Sequence, residues 1–154
     1  MSKILFVCLG NICRSPLAEA IFDAKCKKLD LTHTSDSAGT AAYHVGENPD
    51  HRSVQVAQNH NVPIHHKARQ FKTVDYEKFD YIFAMDQSNY DDIIAIAGSK
   101  HENLHLLREF DNQSENDKNV PDPYYGGKDG FDLIYTMMSR CLSNFINRLE
   151  SDKS

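Results

Sequence analysis

Ile4-Leu5-Phe6-Val7-Cys8-Leu9-Gly10-Asn11-Ile12-Cys13-Arg14-Ser15-Pro16 is the stretch on which the fold turns. Ile4 to Val7 is a continuous apolar run of strand-forming residues, which reads as a strand covered on both faces, as in a parallel sheet. Ser15 is a favoured helix N-cap and Pro16 suits a first helical position. Leu17, Ala18, Ile21, Phe22 and Leu29 then mark one face of a helix. The segment is therefore expected to run strand, tight loop, helix.

The same alternation recurs along the chain. Tyr81-Ile82-Phe83-Ala84-Met85 reads as a second buried strand. Tyr90, Ile93, Ile94 and Ala97 follow at helical spacing, with Gly98 as the stop. Asn103 to Leu107 is expected to be a third strand, and Phe131, Ile134, Tyr135, Met138, Leu142, Phe145 and Leu149 mark a long amphipathic last helix. Strands alternating with helices imply a doubly wound α/β sheet, and the 154 residues suit a single domain over 1–154. Three regions are less legible. Thr34 to Gly39 is polar and shows no strand pattern, the helix between Asp50 and Asn61 is weakly patterned, and Arg108 to Asn119 is a long polar connection.

Hydrophobic residues make up 40% of the chain and charged residues 25%, enough apolar material for a core without disulfide or metal support. The formal net charge of -5 argues against nucleic acid as a partner, so any anion site must be built locally. The run Ile4–Val7 is too short for a signal sequence or a membrane span, and no membrane association is expected. The expected location is cytoplasmic, with Cys8, Cys13, Cys26 and Cys141 as free thiols.

The chemistry concentrates after the first strand. Ligands of open α/β sheets bind at the C-terminal ends of strands, which is where Cys8 falls. Gly10 and Asn11 both tolerate positive φ, so the loop Leu9, Gly10, Asn11, Ile12, Cys13 can turn its N–H groups inward as an anion nest. The helix beginning near Ser15 aims its dipole at the same point, and Arg14 adds a planar charge suited to phosphate oxygens. Such surroundings favour a thiolate, ready for in-line attack on phosphorus, to which the Ser15 hydroxyl can donate. Taken alone, Cys8 also fits a small buried hydrophobe ending a strand.

The segment Cys8 to Pro16 resembles the signature loop of the low-molecular-weight protein tyrosine phosphatases. Ser37-Ala38-Gly39-Thr40, His66-Lys67-Ala68-Arg69-Gln70, Phe79-Asp80-Tyr81-Ile82, Met85-Asp86-Gln87-Ser88-Asn89 and Asp122-Pro123-Tyr124-Tyr125-Gly126 resemble further family segments in the right order. The resemblance covers essentially the whole chain. It implies a flavodoxin-like, four-stranded parallel sheet with helices on both faces, and makes Thr34–Gly39 a strand. It implies hydrolysis of phosphotyrosine and aryl phosphates through a phosphocysteine on Cys8, with Asp122 as general acid and then base. Between Pro121 and Pro123, Asp122 sits on a stiffened, extended backbone. Tyr124 and Tyr125 would wall the pocket, Tyr43 would lie on the rim, and Asn11, Ser37 and His66 would brace the loop. Asp86 reads mainly as an N-cap, with an active-site role as the alternative. Cys13 is either a packed thiol or the partner of Cys8 in a reversible disulfide.

No cofactor or metal is expected, and the expected partners are tyrosine-phosphorylated proteins. A monomer or a weakly self-associating chain is expected. His101-Glu102-Asn103-Leu104-His105 matches a zinc-protease pattern, but that chemistry needs a helix. On the strand that the alternating Leu104 and Leu106 predict, the two histidines stand roughly 13 Å apart. Two competing functions share the loop. An arsenate reductase needs further redox cysteines, and no pair lies near Met85. A non-catalytic phosphate-binding module needs neither Arg14 nor a proton donor at Asp122.

Overall fold

The apolar run becomes the central strand β1 (Lys3–Cys8), whose residues from Ile4 onward are all buried. The computed structural model describes residues 1–124 and 128–152. After β1 come α1 (Arg14–Lys28), β2 (Thr34–Gly39), α2 (His51–Asn59), α3 (Asp75–Lys78), β3 (Tyr81–Ala84), α4 (Gln87–Ala97), β4 (Leu104–Leu106), a 3-10 turn at Leu107–Phe110 and α5 (Lys128–Ser151). The strands form one parallel sheet in the order β2-β1-β3-β4. That order reverses direction between β1 and β3, the switch point where flavodoxin-like sheets bind ligands.

Alternation along β1 divides the core. Ile4 and Phe6 pack with Leu17, Ile21 and Phe22 of α1, Val56 of α2 and Phe145 of α5. Leu5 and Val7 pack with Tyr76 of α3 and Ile93 of α4. Helices thus cover both faces, and the period of two along the strand decides which residue meets which layer.

The regions least legible in the sequence have specific causes. In β2, Ser35, Asp36 and Ser37 engage Asp23, Arg69 and Glu19, so their polarity masks the strand. The helix α2 starts at Asp50, whose side chain accepts from the Arg52 N–H. The connection after Arg108 is braced: Asp111 is fully buried between Arg108 and Arg140, and the Asn119 carbonyl accepts from Arg108. The histidine pattern at 101–105 is not on a helix. Leu104–Leu106 is a strand, and His101 lies stacked on Tyr76 with ring centroids 3.8 Å apart.

One local expectation fails. Ser15 is not the N-cap of α1, and Pro16 is not its first residue. The helix begins at Arg14, and its Cys13 cap makes no side-chain hydrogen bond. A capping hydroxyl would consume the N–H groups that an anion needs. Ser15 turns instead toward Cys8.

Candidate active site

The loop from Cys8 to Arg14 is fixed to the sheet it leaves. The Thr40 N–H donates to the Cys8 carbonyl at 2.9 Å, and the Ala41 N–H donates to that of Leu9 at 3.0 Å, continuing the β1–β2 pairing past the strand ends. Gly39 lies under the loop so closely that a Cβ there would stand 2.7 Å from the Leu9 carbonyl oxygen. Asn11, at φ 58°, supplies the left-handed turn, and Gly10 does not. The glycine at position 10 serves a close approach instead, since a Cβ there would stand 2.9 Å from the His44 ring.

Asn11 organises the loop. Its Nδ2 donates to Ser15 Oγ at 2.8 Å and Ser37 Oγ at 3.0 Å. Its Oδ1 accepts from the Arg69 N–H at 2.9 Å and meets His66 Nε2 at 2.7 Å. Ser15 Oγ, which accepts from Asn11, lies 3.0 Å from Cys8 Sγ and 3.5 Å from the Ala38 carbonyl oxygen. The Asn11 N–H donates to the same sulfur at 3.3 Å. The Asn11 N–H and the Ser15 hydroxyl thus both meet Sγ.

Arg14 is almost wholly buried, and its NH1 donates to Asp86 Oδ2 at 2.7 Å and to the Val120 carbonyl at 2.9 Å. NH2 lies 3.7 Å from Asp122 Oδ2. Burial pulls the guanidinium pKa down, but the Cys8 sulfur, Asp86 and Asp122 outweigh it and hold Arg14 above its ordinary value. Asp86 does two jobs, since its Oδ1 also caps α4 through the Asn89 N–H. Asp122 arrives over the strand ends because the Val120 N–H donates to the Met85 carbonyl. Its Oδ1 accepts from the Tyr124 N–H in a local turn.

Cys8, Leu9, Gly10, Ile12, Cys13, Arg14, Asp122 and Tyr124 line one cavity of about 210 Å³, with Tyr43 and His44 at its edge. The size suits a phosphate carrying one aromatic ring. Tyr43 is 76% exposed. Tyr125 lies outside the described residues. Cys8 and Cys13 are both free thiols, and burial, with Asp50 and Cys8 adding, pushes Cys13 up to about 12.

Sequence reasoning missed His44, Glu19, Asp36 and Arg69. Glu19 accepts from Ser37 Oγ at 2.6 Å, and Arg69 is bound to Asp36 and Asp75. The one signal for Glu19 was its place on the helix turn after Ser15, a carboxylate among the apolar positions of α1. Among the described residues, Glu19, Asp36 and His66 are the one set of side chains spaced to hold a metal ion.

Cys8, Arg14 and Asp122 line one cavity at the strand ends, residue types that suit a phosphate-ester enzyme. The sequence matches the family described as "Low molecular weight phosphotyrosine protein phosphatase" over residues 3–154. A relative of that description from Schizosaccharomyces pombe is 43% identical over 152 residues, covering 96% of each chain. A solved protein tyrosine phosphatase from Entamoeba histolytica superposes with a TM-score of 0.92 at 35% identity, covering all of both chains. A solved Drosophila arginine phosphatase superposes with a TM-score of 0.90 at 34% identity, covering 99% of each. The chain belongs to the low molecular weight phosphotyrosine protein phosphatase family and is an enzyme of that class.

Proposed function

We propose that this phosphatase acts on tyrosine-phosphorylated proteins through a phosphocysteine on Cys8. The observation that carries the reading is the convergence of the Asn11 N–H and the Ser15 hydroxyl on the Cys8 sulfur, in one cavity with Arg14 and Asp122. The sulfur attacks phosphorus, the S–P bond forms, and the P–O bond to the phenol breaks. The N–H groups of Leu9 to Arg14 and the guanidinium of Arg14 hold the phosphoryl oxygens. Because Asp86 and Val120 fix NH1, the remaining donors of Arg14 are held for those oxygens. Asp122 gives its proton to the departing phenolate. Water then attacks phosphorus, Asp122 takes its proton, and the S–P bond breaks to release phosphate and the thiolate.

Tyr43, His44 and Tyr124 flank the incoming ring, and Asn11, Ser37 and His66 keep the loop in shape. No helix of the described residues is long and apolar enough to cross a membrane. A cytosolic location is part of the proposal.

The test is an aryl phosphate assay of wild type, Cys8→Ser and Asp122→Ala, with a phosphotyrosyl and a phosphoarginyl peptide compared in parallel. Cys8→Ser is expected to be inactive. Asp122→Ala is expected to be badly impaired on phenyl phosphate and much less so on an ester whose leaving group departs as an anion. Equal slowing of the cysteine-phosphorylation step on both esters would remove Asp122 as the acid. Preference for the phosphoarginyl peptide would move the substrate class to that of the Drosophila relative.

A further inference from the structure

The first turn of α2 is fastened to the catalytic loop. The Asp50 N–H donates to the Ile12 carbonyl at 2.7 Å, and the Ser53 hydroxyl donates to the Cys13 carbonyl at 3.1 Å. Arg52 stands between these two anchors. Its Nε and NH2 each donate to one oxygen of the Asp50 carboxylate at 3.0 Å, a two-pronged pair that fixes the plane of the guanidinium. The same carboxylate accepts the Arg52 backbone N–H at 2.8 Å, so the partner is itself held. From there the guanidinium carbon lies 4.7 Å from the centroid of the Phe131 ring and 5.5 Å from that of Tyr124, both within cation–π range. Phe131 is buried in α5, whereas Tyr124 is 37% exposed and follows Asp122 in a turn. Arg52 thus connects a buried ring to an exposed one. Tyr124 lines the cavity that holds Cys8, and Arg52 does not.

We propose that Arg52 is a positioning residue for aromatic phosphate esters: it holds the Tyr124 ring as a wall at the cavity mouth, in register with the loop that takes the phosphate. The role rests on the reading of this cavity as an aryl phosphate site. A tyrosine on an exposed turn that nothing holds must be ordered by the substrate ring when it binds, at a cost in affinity. With the guanidinium against its face, Tyr124 is ordered before the substrate arrives. The span between the phosphate cradle and the wall is set within one short piece of chain. Asp50 and Ser53 fix that piece to Ile12 and Cys13, and Arg52 reaches from it to Tyr124. A guanidinium suits the task because it can stack flat on a ring while its edge stays bonded to a carboxylate.

The test compares two competitive inhibitors of aryl phosphate hydrolysis. Inorganic phosphate meets the loop alone. The amide of N-acetyl phosphonomethylphenylalanine, a phosphotyrosine mimic whose P–C bond does not break, adds a ring for the wall. Arg52→Met keeps an apolar stem against Phe131 and removes the charge. It is expected to weaken the mimic about fivefold, to leave the phosphate constant within about twofold, and to raise KM for an aryl phosphate more than it lowers kcat. Arg52→Lys, which keeps a charge without the fork to Asp50, is expected to fall between the two. In a Tyr124→Ala background the same Arg52→Met change is expected to cost the mimic less than about twofold, because the ring it acts through is gone. A full loss in that background would place Arg52 on the ligand itself, and an equal loss for phosphate would make it a prop of the loop; either overturns the proposal. So does a mimic constant that Arg52→Met leaves unchanged. Should Arg52→Met fail to fold, Arg52→Lys in the two backgrounds carries the same comparison. A wild-type enzyme that turns over no aryl phosphate would remove the aryl phosphate reading and this role with it, whereas an active wild type with indifferent Arg52 variants would remove the role alone.

Discussion

Gly39→Ala probes the loop from a residue that does not itself line the cavity. The new methyl would stand 2.7 Å from the Leu9 carbonyl oxygen, 3.1 Å from the Gly10 carbonyl carbon and 3.2 Å from Asn11 Cβ. Two of these atoms are backbone, so no side chain can swing aside. Gly39 is not at positive φ, which leaves the clash as the sole source of strain. Restoring even a tight contact of about 3.2 Å requires the loop to move by about 0.5 Å. Catalytic geometry is held to about that tolerance, and a shift of about 1 Å costs about 100-fold, so about tenfold is expected in kcat/KM. Overpacking of this kind also costs about 1–3 kcal/mol of stability. The assay is kcat/KM on an activated aryl phosphate, beside the inhibition constant of inorganic phosphate and the Tm. Gly98→Ala is the control. Gly98 caps α4 at φ 81° with open space around it, so the loss there should be about 1 kcal/mol of stability with turnover intact. A Gly39→Ala enzyme with kcat/KM within twofold of wild type and unchanged Tm would refute the view that β2 sets the loop position.

Arg14→Lys is expected to lower kcat/KM strongly, because one ammonium cannot hold Asp86, the Val120 carbonyl and the phosphoryl oxygens together. A loss below about 1 kcal/mol in transition-state terms would show that the backbone nest suffices. Peroxide is expected to inactivate the enzyme reversibly, with Cys13 capturing oxidised Cys8 as a disulfide and releasing water. Because Cys13 is held near 12, the captured fraction should grow as pH rises, and a Cys13→Ser enzyme that recovers equally well at every pH would leave Cys13 as packing alone. Asp111→Asn should destabilise the fold by about 3 kcal/mol, since it leaves Arg108 and Arg140 without their buried partner. The Arg140 hydrogen bond, with those of Gln113 and Arg108, holds Asp111 below the usual carboxylate range. Its stabilisation is therefore present above the unfolded value of about 3.9 and lost as pH falls below it, so acid-induced unfolding should be flatter in the variant.

The parts of the fold legible in the sequence are those whose pattern comes from burial. Ile4–Val7, Tyr81–Met85 and the α5 stripe carry apolar periodicity because they face the core, and the structure places them there. β2 escaped because its side chains spend their polarity on other side chains, and a sequence does not show that Ser37 will meet Glu19 and Asn11. The loop was legible in kind but not in its joints. Cys8, Arg14 and Asp122 share one cavity, as their residue types implied, yet the positive φ belongs to Asn11 alone and Ser15 serves the sulfur in place of the helix end. Of the flanking set, His44, Asp36 and Arg69 had no local signal, because each acts through a contact that only the folded chain makes, and Glu19 showed only as a carboxylate among the apolar positions of α1.

The pairing of Thr40 and Ala41 with the Cys8 and Leu9 carbonyls has a consequence for how the molecule comes apart. Many enzymes carry their reactive groups on lids that open well below the global unfolding free energy. Here the strand that ends at Cys8, the proposed nucleophile, is central in the sheet, and its loop is held by bonds that extend the ladder. The two amides should therefore exchange with solvent deuterium only through opening of the whole β1–β2 pair, at rates close to those of buried Phe6 and Val7. Activity and sheet should then be lost at one denaturant concentration, leaving no populated species that is folded and inert.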